Sequence, residues 1–329
     1  MKKILVVMTG GTICSVENGN GELCSDVSRI HIEETFKKGG SVYADNVEFD
    51  KKALLNTLSE NMTLTDWNTL IELFKNTATE KYSGIIVLHG TDTLAYTSAL
   101  LSAALSGYPL PIIMVSSHSP LDDIKTNGHA NFKAAVELIM NGIAPNVYVV
   151  YENTDKEIYL HTGDRIRQCA NFSNDFFSDT SIKIDNRKNA QSEGVEWGDR
   201  DRAYERIGTL NSCVLLIFPY PAMDYRRISL DGVRAVIHGT YHSESVCVMG
   251  EGTSLTDFTN ICSERNIPVI LAPCSKEAYK YESTGNALRA GASESGGITL
   301  EYAYGRALVG CALGNNGKDL VEYIGVGLK

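Results

Sequence analysis

The sequence predicts a two-domain α/β protein: a larger N-terminal domain on a mostly parallel sheet flanked by helices, and a smaller C-terminal α/β domain. Three observations support this. The chain has 329 residues, which is long for a single hydrophobic core. Short runs rich in Val and Ile, typical of strands buried on both faces, alternate with longer helical patterns. A polar, charged stretch separates two such series.

The first series predicts four strands joined by helical crossovers, as a parallel sheet requires. The predicted strands are 3–8, 84–88, 111–115 and 146–151. The predicted helices are 65–78, with a capping residue at its start, 93–104 and 131–141.

The second series predicts the smaller domain. Its predicted strands are 213–218, 235–238 and 268–272, and its predicted helices are 254–265 and 299–313. The stretch between the two series has little apolar periodicity, which favours a linker or an extended hairpin. The predicted boundaries are therefore 1–185 for the first domain, 186–211 for the linker and 212–329 for the second domain.

Composition excludes several classes of protein. With 30 basic and 40 acidic residues the formal net charge is −10, which argues against a nucleic-acid surface. The eight cysteines form no CxxC pair, so we expect free thiols in a reducing compartment. The apolar run near the N-terminus is too short for a signal peptide, and no run is long enough to span a membrane. We therefore expect a cytoplasmic protein.

The first motif that carries chemistry is Thr9-Gly10-Gly11-Thr12-Ile13, directly after the first predicted strand. The glycines allow a sharp turn and a close approach of the backbone to a ligand. Thr12 then lies at the carboxyl end of a strand, where open α/β sheets bind ligands. The alternative is an ordinary tight turn with a polar cap.

A second motif, His89-Gly90-Thr91-Asp92-Thr93, follows another buried strand and opens a helix. A hydroxyl beside a carboxylate suits the binding of a polar substrate or an attacking water. The alternative is a simple helix cap. We expect His89 to brace the turn by hydrogen bonds, and we expect no metal site, because no second His or Cys lies at ligand spacing.

A third motif, Ser59-Glu60-Asn61-Met62-Thr63, precedes a predicted helix. Its exposed Ser and Glu side chains suit a ligand that carries both an ammonium and a carboxylate group. The alternative is a loop that only leads into the helix.

Together the motifs that contain Thr12 and Thr91 resemble those of the L-asparaginase family of amidohydrolases. The resemblance extends along nearly the whole chain. Its other segments are Ser59 to Thr63 with Asp66-Trp67, Pro120-Leu121, Ile124 to Gly128 with Asn131, Gly239 to Glu244, and Ser283 to Leu288. The last of these is similar to a motif of the short, cytoplasmic (type I) branch.

The resemblance implies hydrolysis of L-asparagine to L-aspartate and ammonia in two steps. Thr12 would be the nucleophile, and Thr91 would help with water or proton transfer. Asp92 would hold the α-ammonium group of the substrate. Ser59 and Glu60 would hold its amino-acid end, and the backbone near Ser116 and Ser117 would face the amide. The resemblance implies a homodimer or homotetramer and no cofactor.

Two positions depart from the family pattern. Family members carry a lysine close to the Thr-Asp pair, in a Gly-x-Arg-x-x-Lys context, whereas this chain has Gln168 there. Glutamine neither carries charge nor exchanges a proton near neutral pH. The loop after Thr12 is glycine-rich, as suits a lid, but it lacks the tyrosine expected in the stretch 18–24. Glu22 and Tyr43 are the candidates to replace that tyrosine.

Three functions therefore remain open. The first is an active asparaginase. The second is a diverged relative with weak or no asparaginase activity, which acts on another amide or amino-acid derivative or serves as a ligand-binding or regulatory protein. The third is a nucleotide-binding α/β protein. For the first, we expect as partners only a small amino-acid amide and further copies of the chain, with no nucleic acid and no membrane.

Overall fold

The computed structural model describes residues 1–184, 202–276 and 280–325, which form two compact units, Met1–Glu205 and Arg206–Lys329. Residues 186–201 of the predicted linker lie outside this description. The strands are β1 Lys2–Gly10, β2 Ser15–Glu17, β3 Leu23–Ser25, β4 Val47–Thr57, β5 Gly84–Leu88, β6 Ile112–Val115, β7 Val147–Glu152, β8 Ile158–Thr162, β9 Ile182–Lys183, β10 Val214–Ile217, β11 Ala235–Gly239, β12 Val269–Ala272 and β13 Ser293–Glu294. The helices are α1 Ile32–Lys38, α2 Leu64–Lys75, α3 Leu94–Ala104, α4 Gly128–Met140, α5 Ala203–Arg206, α6 Leu255–Glu264, α7 Glu282–Arg289, α8 Leu300–Ala312 and α9 Gly317–Gly325.

The first unit is built on a seven-stranded sheet in the order β4-β1-β5-β6-β7-β8-β9. The strands from β4 to β7 run parallel, and β8 and β9 add antiparallel pairs at the far edge. All residues of β5 and β6 are buried, as expected for central strands that are covered on both faces. The prediction of an α/β fold with a mostly parallel main sheet is confirmed.

Strand β4 is a parallel strand that the sequence pattern did not predict. It lies at the edge of the sheet, and residues such as Lys51 and Lys52 are exposed. An edge strand needs only one buried side, and its charged side chains also prevent edge-to-edge pairing. The apolar signal is therefore weak, although β4 carries the chain to the site through Thr57 and Ser59.

Helix α2 begins with a capping box. The Thr63 hydroxyl accepts a hydrogen bond from the Asp66 amide at 3.3 Å, and the Asp66 carboxylate accepts one from the Thr63 amide at 2.8 Å. The predicted cap lay two residues later. Trp67 donates its indole N–H to the Thr97 hydroxyl at 3.0 Å, which joins α2 to α3. The loops that enter these two helices are thereby held in fixed relative positions.

The second unit contains a parallel four-stranded sheet in the order β10-β11-β12-β13. Its buried core includes Val236, Leu271 and Phe258. Tyr225 stacks on Phe258, and the Tyr225 hydroxyl lies 2.8 Å from Nε2 of the buried His238. Across the described residues of both units, no helix is both long and apolar enough to cross a membrane.

Acidification is expected to destabilise the protein between about pH 6.5 and pH 4. Burial lowers the pKa of His89, His161 and His238 from 6.5 to about 4. Between these two values the unfolded chain binds more protons than the folded one, so the free energy of unfolding falls as the pH falls. A full shift of this size corresponds to at most about 3 kcal/mol per group.

The measurement is the thermal unfolding midpoint between pH 7.5 and pH 4.5. Replacing His161 with glutamine removes one titrating group while retaining a donor for Ser178, its hydrogen-bond partner, and should make the dependence on pH shallower. Replacing the exposed His31 with glutamine should leave the pH dependence of the unfolding midpoint unchanged. A midpoint constant over this range would contradict the prediction.

Candidate active site

Three loops meet at the carboxyl edge of the main sheet because their strands are parallel neighbours. The turn after β1 carries Thr12, the loop after β4 carries Ser59, and the turn after β5 carries Thr91. Hydrogen bonds join the ends of these strands: the Gly11 amide donates to the Thr57 carbonyl at 3.0 Å, and the Thr9 hydroxyl donates to the Leu88 carbonyl at 2.9 Å. The edge is therefore a fixed base for the three loops.

The turns that carry Thr12 and Thr91 touch each other through their backbones. Gly11 has φ +76°, a left-handed conformation that glycine adopts without strain. A Cβ atom on Gly11 would lie closer than 3.0 Å to both Cα and N of Gly90. Thr12 and Thr91 each follow one of these two glycines directly, so the contact brings the two threonines to the same place.

Both threonines are half-buried, and Asp92 beside them is exposed. Among the described residues, the Thr12 hydroxyl has no hydrogen-bond partner. A ligand at this hydroxyl would therefore displace no internal hydrogen bond.

Ser59 supports the Asp92 turn from the β4 side. Its hydroxyl oxygen accepts the Asp92 amide N–H at 3.1 Å, and its carbonyl accepts the Thr93 hydroxyl at 2.9 Å. The Ser59 side chain also packs against Gly90 so closely that any side chain on Gly90 would overlap it. Ser59 is only 3% exposed. The side chain predicted to bind substrate thus holds the turn in place.

Gln168, which follows β8, reaches the same turn. Its Nε2 donates to the Thr91 carbonyl at 3.0 Å, and its Oε1 accepts the Ala95 amide N–H at 3.4 Å. The side chain therefore bridges the turn and the first residues of α3. This is the neighbourhood in which the family resemblance places a lysine.

The electrostatics at this edge are dominated by carboxylates. Partial burial and the nearby Glu60 carboxylate raise the pKa of Asp92. Cys169 lies close enough to be affected: burial, Asp175 and Asp92 raise the pKa of its thiol to about 11. The sequence predicts Cys169 only as a free thiol, and its place next to Gln168 is the signal in the sequence that it borders the site.

His89 lies beneath the turn and is fully buried. Its Nδ1–H donates to the Gly90 carbonyl at 2.8 Å, and among the described residues Nε2 has no hydrogen-bond partner. Burial lowers the pKa of His89 to about 4, so the ring is neutral at pH 7. These contacts agree with the role of a brace.

The remaining predicted residues make other contacts. Ser117 follows β6, and its hydroxyl donates to the Ser119 carbonyl at 2.6 Å. Tyr43 precedes β4 and contacts Asn141, at the amino end of the parallel strands, so it is not the lid residue. Glu22 contacts Asn18 within the β2–β3 turn. The loop after Thr12 is thus a short hairpin rather than an open coil.

The contact between the turns makes Gly11→Ala a severe substitution. The new Cβ would meet backbone atoms of Gly90, which have no room to shift, and φ is positive. We expect a loss of at least about 3 kcal/mol in the free energy of unfolding. Urea denaturation of the variant and of the unaltered chain measures this loss of free energy.

Gly142→Ala is the matched control, because Gly142 also has a positive φ, +81°, but has open space around its Cβ position. The strain of a positive φ alone costs about 1 kcal/mol. Equal losses for the two variants would show that the turns do not touch.

Most of the chain matches a protein-family model. A model described as "Asparaginase, N-terminal" matches residues 3–200. Among solved structures, the thermostable L-asparaginase from Thermococcus kodakarensis superposes with a TM-score of 0.75 and 21% identity, over 98% of this chain and 96% of the other. That likeness supports the fold.

Curated relatives include two kinds of protein. A glutamyl-tRNA(Gln) amidotransferase subunit from Thermoplasma volcanium is 30% identical over 346 residues, spanning 99% of this chain and 79% of that protein. The L-asparaginase of Thermococcus kodakarensis is 30% identical over 149 residues, 45% of this chain and 44% of that protein. A relative that matches along the whole chain is therefore an amidotransferase subunit.

This finding corrects the predicted partners. The sequence predicts that the chain binds a small amino-acid amide and assembles with further copies of itself into a homodimer or homotetramer. It also predicts that the chain binds no nucleic acid. This prediction of the partners is wrong: relatives that match along the whole chain are named as one subunit of an amidotransferase for glutamyl-tRNA(Gln). A single chain cannot reveal such an assembly, because the residues that bind other subunits have no fixed motif.

The family match covers more than half of the chain, and the fold agrees with it. Two threonine-bearing turns meet at the carboxyl edge of the sheet, where such folds bind ligands. This chain belongs to the asparaginase family and is an enzyme, or an enzyme subunit, of the amidohydrolase type.

Proposed function

We propose that this protein hydrolyses a carboxamide through Thr12, with release of ammonia, and that it hydrolyses free L-asparagine slowly. The observation that carries the proposal is the contact of Gly11 with Gly90, which unites the turns of Thr12 and Thr91. The neutral Gln168 at the Thr91 carbonyl supports the second half of the proposal.

In the proposed first step, Thr12 Oγ1 attacks the amide carbon and forms a tetrahedral intermediate. The C–N bond then breaks, the nitrogen takes up the proton that the Thr12 hydroxyl has lost and leaves as ammonia, and an ester on Thr12 remains. In the second step water attacks the ester, and the carboxylic acid and the Thr12 hydroxyl are released. In this proposal Thr91, whose turn touches that of Thr12, passes protons, and the Asp92 and Glu60 carboxylates bind an ammonium group on the substrate.

Gln168 explains why asparagine should be a poor substrate. A glutamine amide holds the Thr91 turn by hydrogen bonds, but it does not take up or release protons near neutral pH. Assistance to proton transfer is usually worth about 10²–10⁴ in rate. Without a lysine at this position, hydrolysis of asparagine should be slower by a factor in this range.

The test is ammonia release by the purified protein from L-asparagine, from L-glutamine and from a panel of amino-acid amides. Thr12→Ala serves as the reference without a nucleophile. The proposal predicts ammonia above this reference for at least one amide, and a covalent adduct on Thr12 detectable by mass spectrometry of the quenched reaction. Rates equal to the reference for every amide would refute hydrolysis by Thr12.

A second candidate is favoured by the match along the whole chain to amidotransferase subunits. In that case the protein releases an amide nitrogen only as part of an assembly. The isolated chain would then bind an amide without hydrolysing it. A higher thermal unfolding midpoint with glutamine or asparagine, without ammonia release, would favour this candidate.

A further inference from the structure

Two buried cysteines of the second unit lie next to each other. Cys213 stands directly before β10, and Cys311 lies in the last turn of α8. Helix α8 packs against β10 and β11. The two residues therefore meet where the helix that covers this sheet ends above the start of its first strand.

Arg234 holds the backbone at both cysteines. Its amide N–H donates to the Cys213 carbonyl at 2.7 Å, and its Nη1 donates to the Cys311 carbonyl at 3.3 Å. Its Nη2 donates to the Asn315 carbonyl, which lies beyond the end of α8, at 2.8 Å. Arg234 thus joins the start of β10 to the end of α8, and its positive charge acts on both thiols.

The thiols of Cys213 and Cys311 are hydrogen-bonded to each other. This hydrogen bond lowers the pKa of the Cys213 thiol, and the charge of Arg234 lowers it as well, whereas burial acts in the opposite direction. The same hydrogen bond raises the pKa of Cys311. Because the thiolate is the reactive form of cysteine, Cys213 is the member of the pair that reacts first.

Three other buried cysteines lack this arrangement. Burial raises the pKa of Cys14 to about 12 and the pKa of Cys262 and Cys274 to about 11. Among the described residues, no second thiol acts on any of the three. Buried thiols in such surroundings are inert. The combination of a neighbouring thiol and an arginine therefore distinguishes Cys213 and Cys311 from these three.

We infer that Cys213 and Cys311 form a site of reversible oxidation, at which a small peroxide converts the two thiols into a disulfide. In the first step the Cys213 sulfur attacks one oxygen of hydrogen peroxide and the O–O bond breaks. The second oxygen leaves as water with the proton of the Cys213 thiol, and Cys213 becomes a sulfenic acid. In the second step the Cys311 sulfur attacks the Cys213 sulfur, the S–O bond breaks, and the oxygen leaves as water with the Cys311 proton. Two thiols and one peroxide thus give one disulfide and two molecules of water.

Burial of the pair determines which oxidant reaches it. Cys213 is 5% exposed and Cys311 is 4% exposed, so a bulky disulfide reagent has less access than hydrogen peroxide. The new bond would join the start of β10 to the end of α8 and close a loop that contains most of the second unit. A cross-link that closes a long loop restricts the unfolded chain and so stabilises the folded one. The inference does not depend on hydrolysis through Thr12.

The test uses the full chain, which is reduced with dithiothreitol, freed of the reductant and treated with hydrogen peroxide. Proteolysis without reduction, followed by mass spectrometry, should find the peptide of Cys213 linked to the peptide of Cys311. The thermal unfolding midpoint should rise by at least about 5 °C on oxidation. It should return to its first value after dithiothreitol is added again.

Cys213→Ala and Cys311→Ala should each abolish the rise in the unfolding midpoint. The rise is the difference between oxidised and reduced samples of one variant, so a lower stability of the variant itself does not affect the comparison. Cys262→Ala is the matched control. Cys262 is also buried in the second unit and lies near an arginine, Arg265, but among the described residues no second thiol acts on it. This variant should keep the full rise.

Two results would overturn the inference. The first is recovery of Cys213 and Cys311 as free thiols at a peroxide concentration that oxidises the exposed Cys24 of the same chain, which would show that the pair does not react. The second is recovery of Cys213 as a sulfinic acid or in a disulfide with a different cysteine, which would show that Cys311 is not its partner.

Discussion

Replacing Thr12 with alanine is expected to lower the rate of ammonia release from the best amide substrate by at least about 10³-fold. The covalent route splits one difficult hydrolysis into two easier steps, and it needs an oxygen nucleophile on this turn. The Thr12 side chain is half-buried and faces no internal hydrogen-bond partner among the described residues. Removing this hydroxyl should therefore change the free energy of unfolding little, and the loss of activity should appear in kcat.

Thr12→Ser is the matched variant, because it keeps the hydroxyl and removes only a methyl group. We expect it to retain measurable turnover and the covalent adduct, whereas Thr12→Ala loses both. Circular dichroism and the unfolding midpoint should be the same for the two variants. If Thr12→Ala hydrolyses the amide as fast as the unaltered chain, another residue is the nucleophile.

The local pattern predicted most of the main sheet because central strands are short apolar runs. Strand β5 begins at Gly84 and ends at Leu88, as its pattern predicts, and the chemistry-bearing motifs follow β1 and β5 directly. In a parallel sheet the carboxyl ends of all strands lie at one edge, so the sequence alone implied that Thr12 and Thr91 lie at the same edge.

The interactions between the loops were not predictable in the same way. The contact of Gly11 with Gly90 depends on the order β4-β1-β5 and on backbone angles that no periodicity records. Ser59 carries a side chain typical of substrate binding, but the path of the chain after β4 buries it behind Gly90. Tyr43 was a candidate for the lid only by residue type, and it lies before β4, at the amino end of the parallel strands.

The difference between what local motifs predict and what they do not predict applies to function as well. The motifs predict chemistry because a hydroxyl nucleophile and its neighbours must be of defined types. Partners are not determined in this way, and only the match along the whole chain to an amidotransferase subunit revealed that the expected self-association was the wrong prediction.

Gln168→Lys is expected to raise the rate of asparagine hydrolysis about 10²-fold, the lower end of what assistance to proton transfer contributes. The Gln168 side chain already lies at the Thr91 carbonyl, 3.0 Å away, so a lysine at this position begins from the right place. A lysine there can give up and take back a proton, which a glutamine amide does not do near neutral pH. Initial rates with asparagine measure the effect.

A loss of stability should accompany this gain. Lysine has no acceptor for the Ala95 amide, which Gln168 now provides at 3.4 Å, so the free energy of unfolding should fall by about 1 kcal/mol. Gln168→Met separates the two effects, because it removes both hydrogen bonds and adds no charge. Met should lower stability without raising the rate. If lysine and methionine have the same effect on asparagine hydrolysis, the charge at this position does not take part in the reaction, and the position serves only to hold the Thr91 turn.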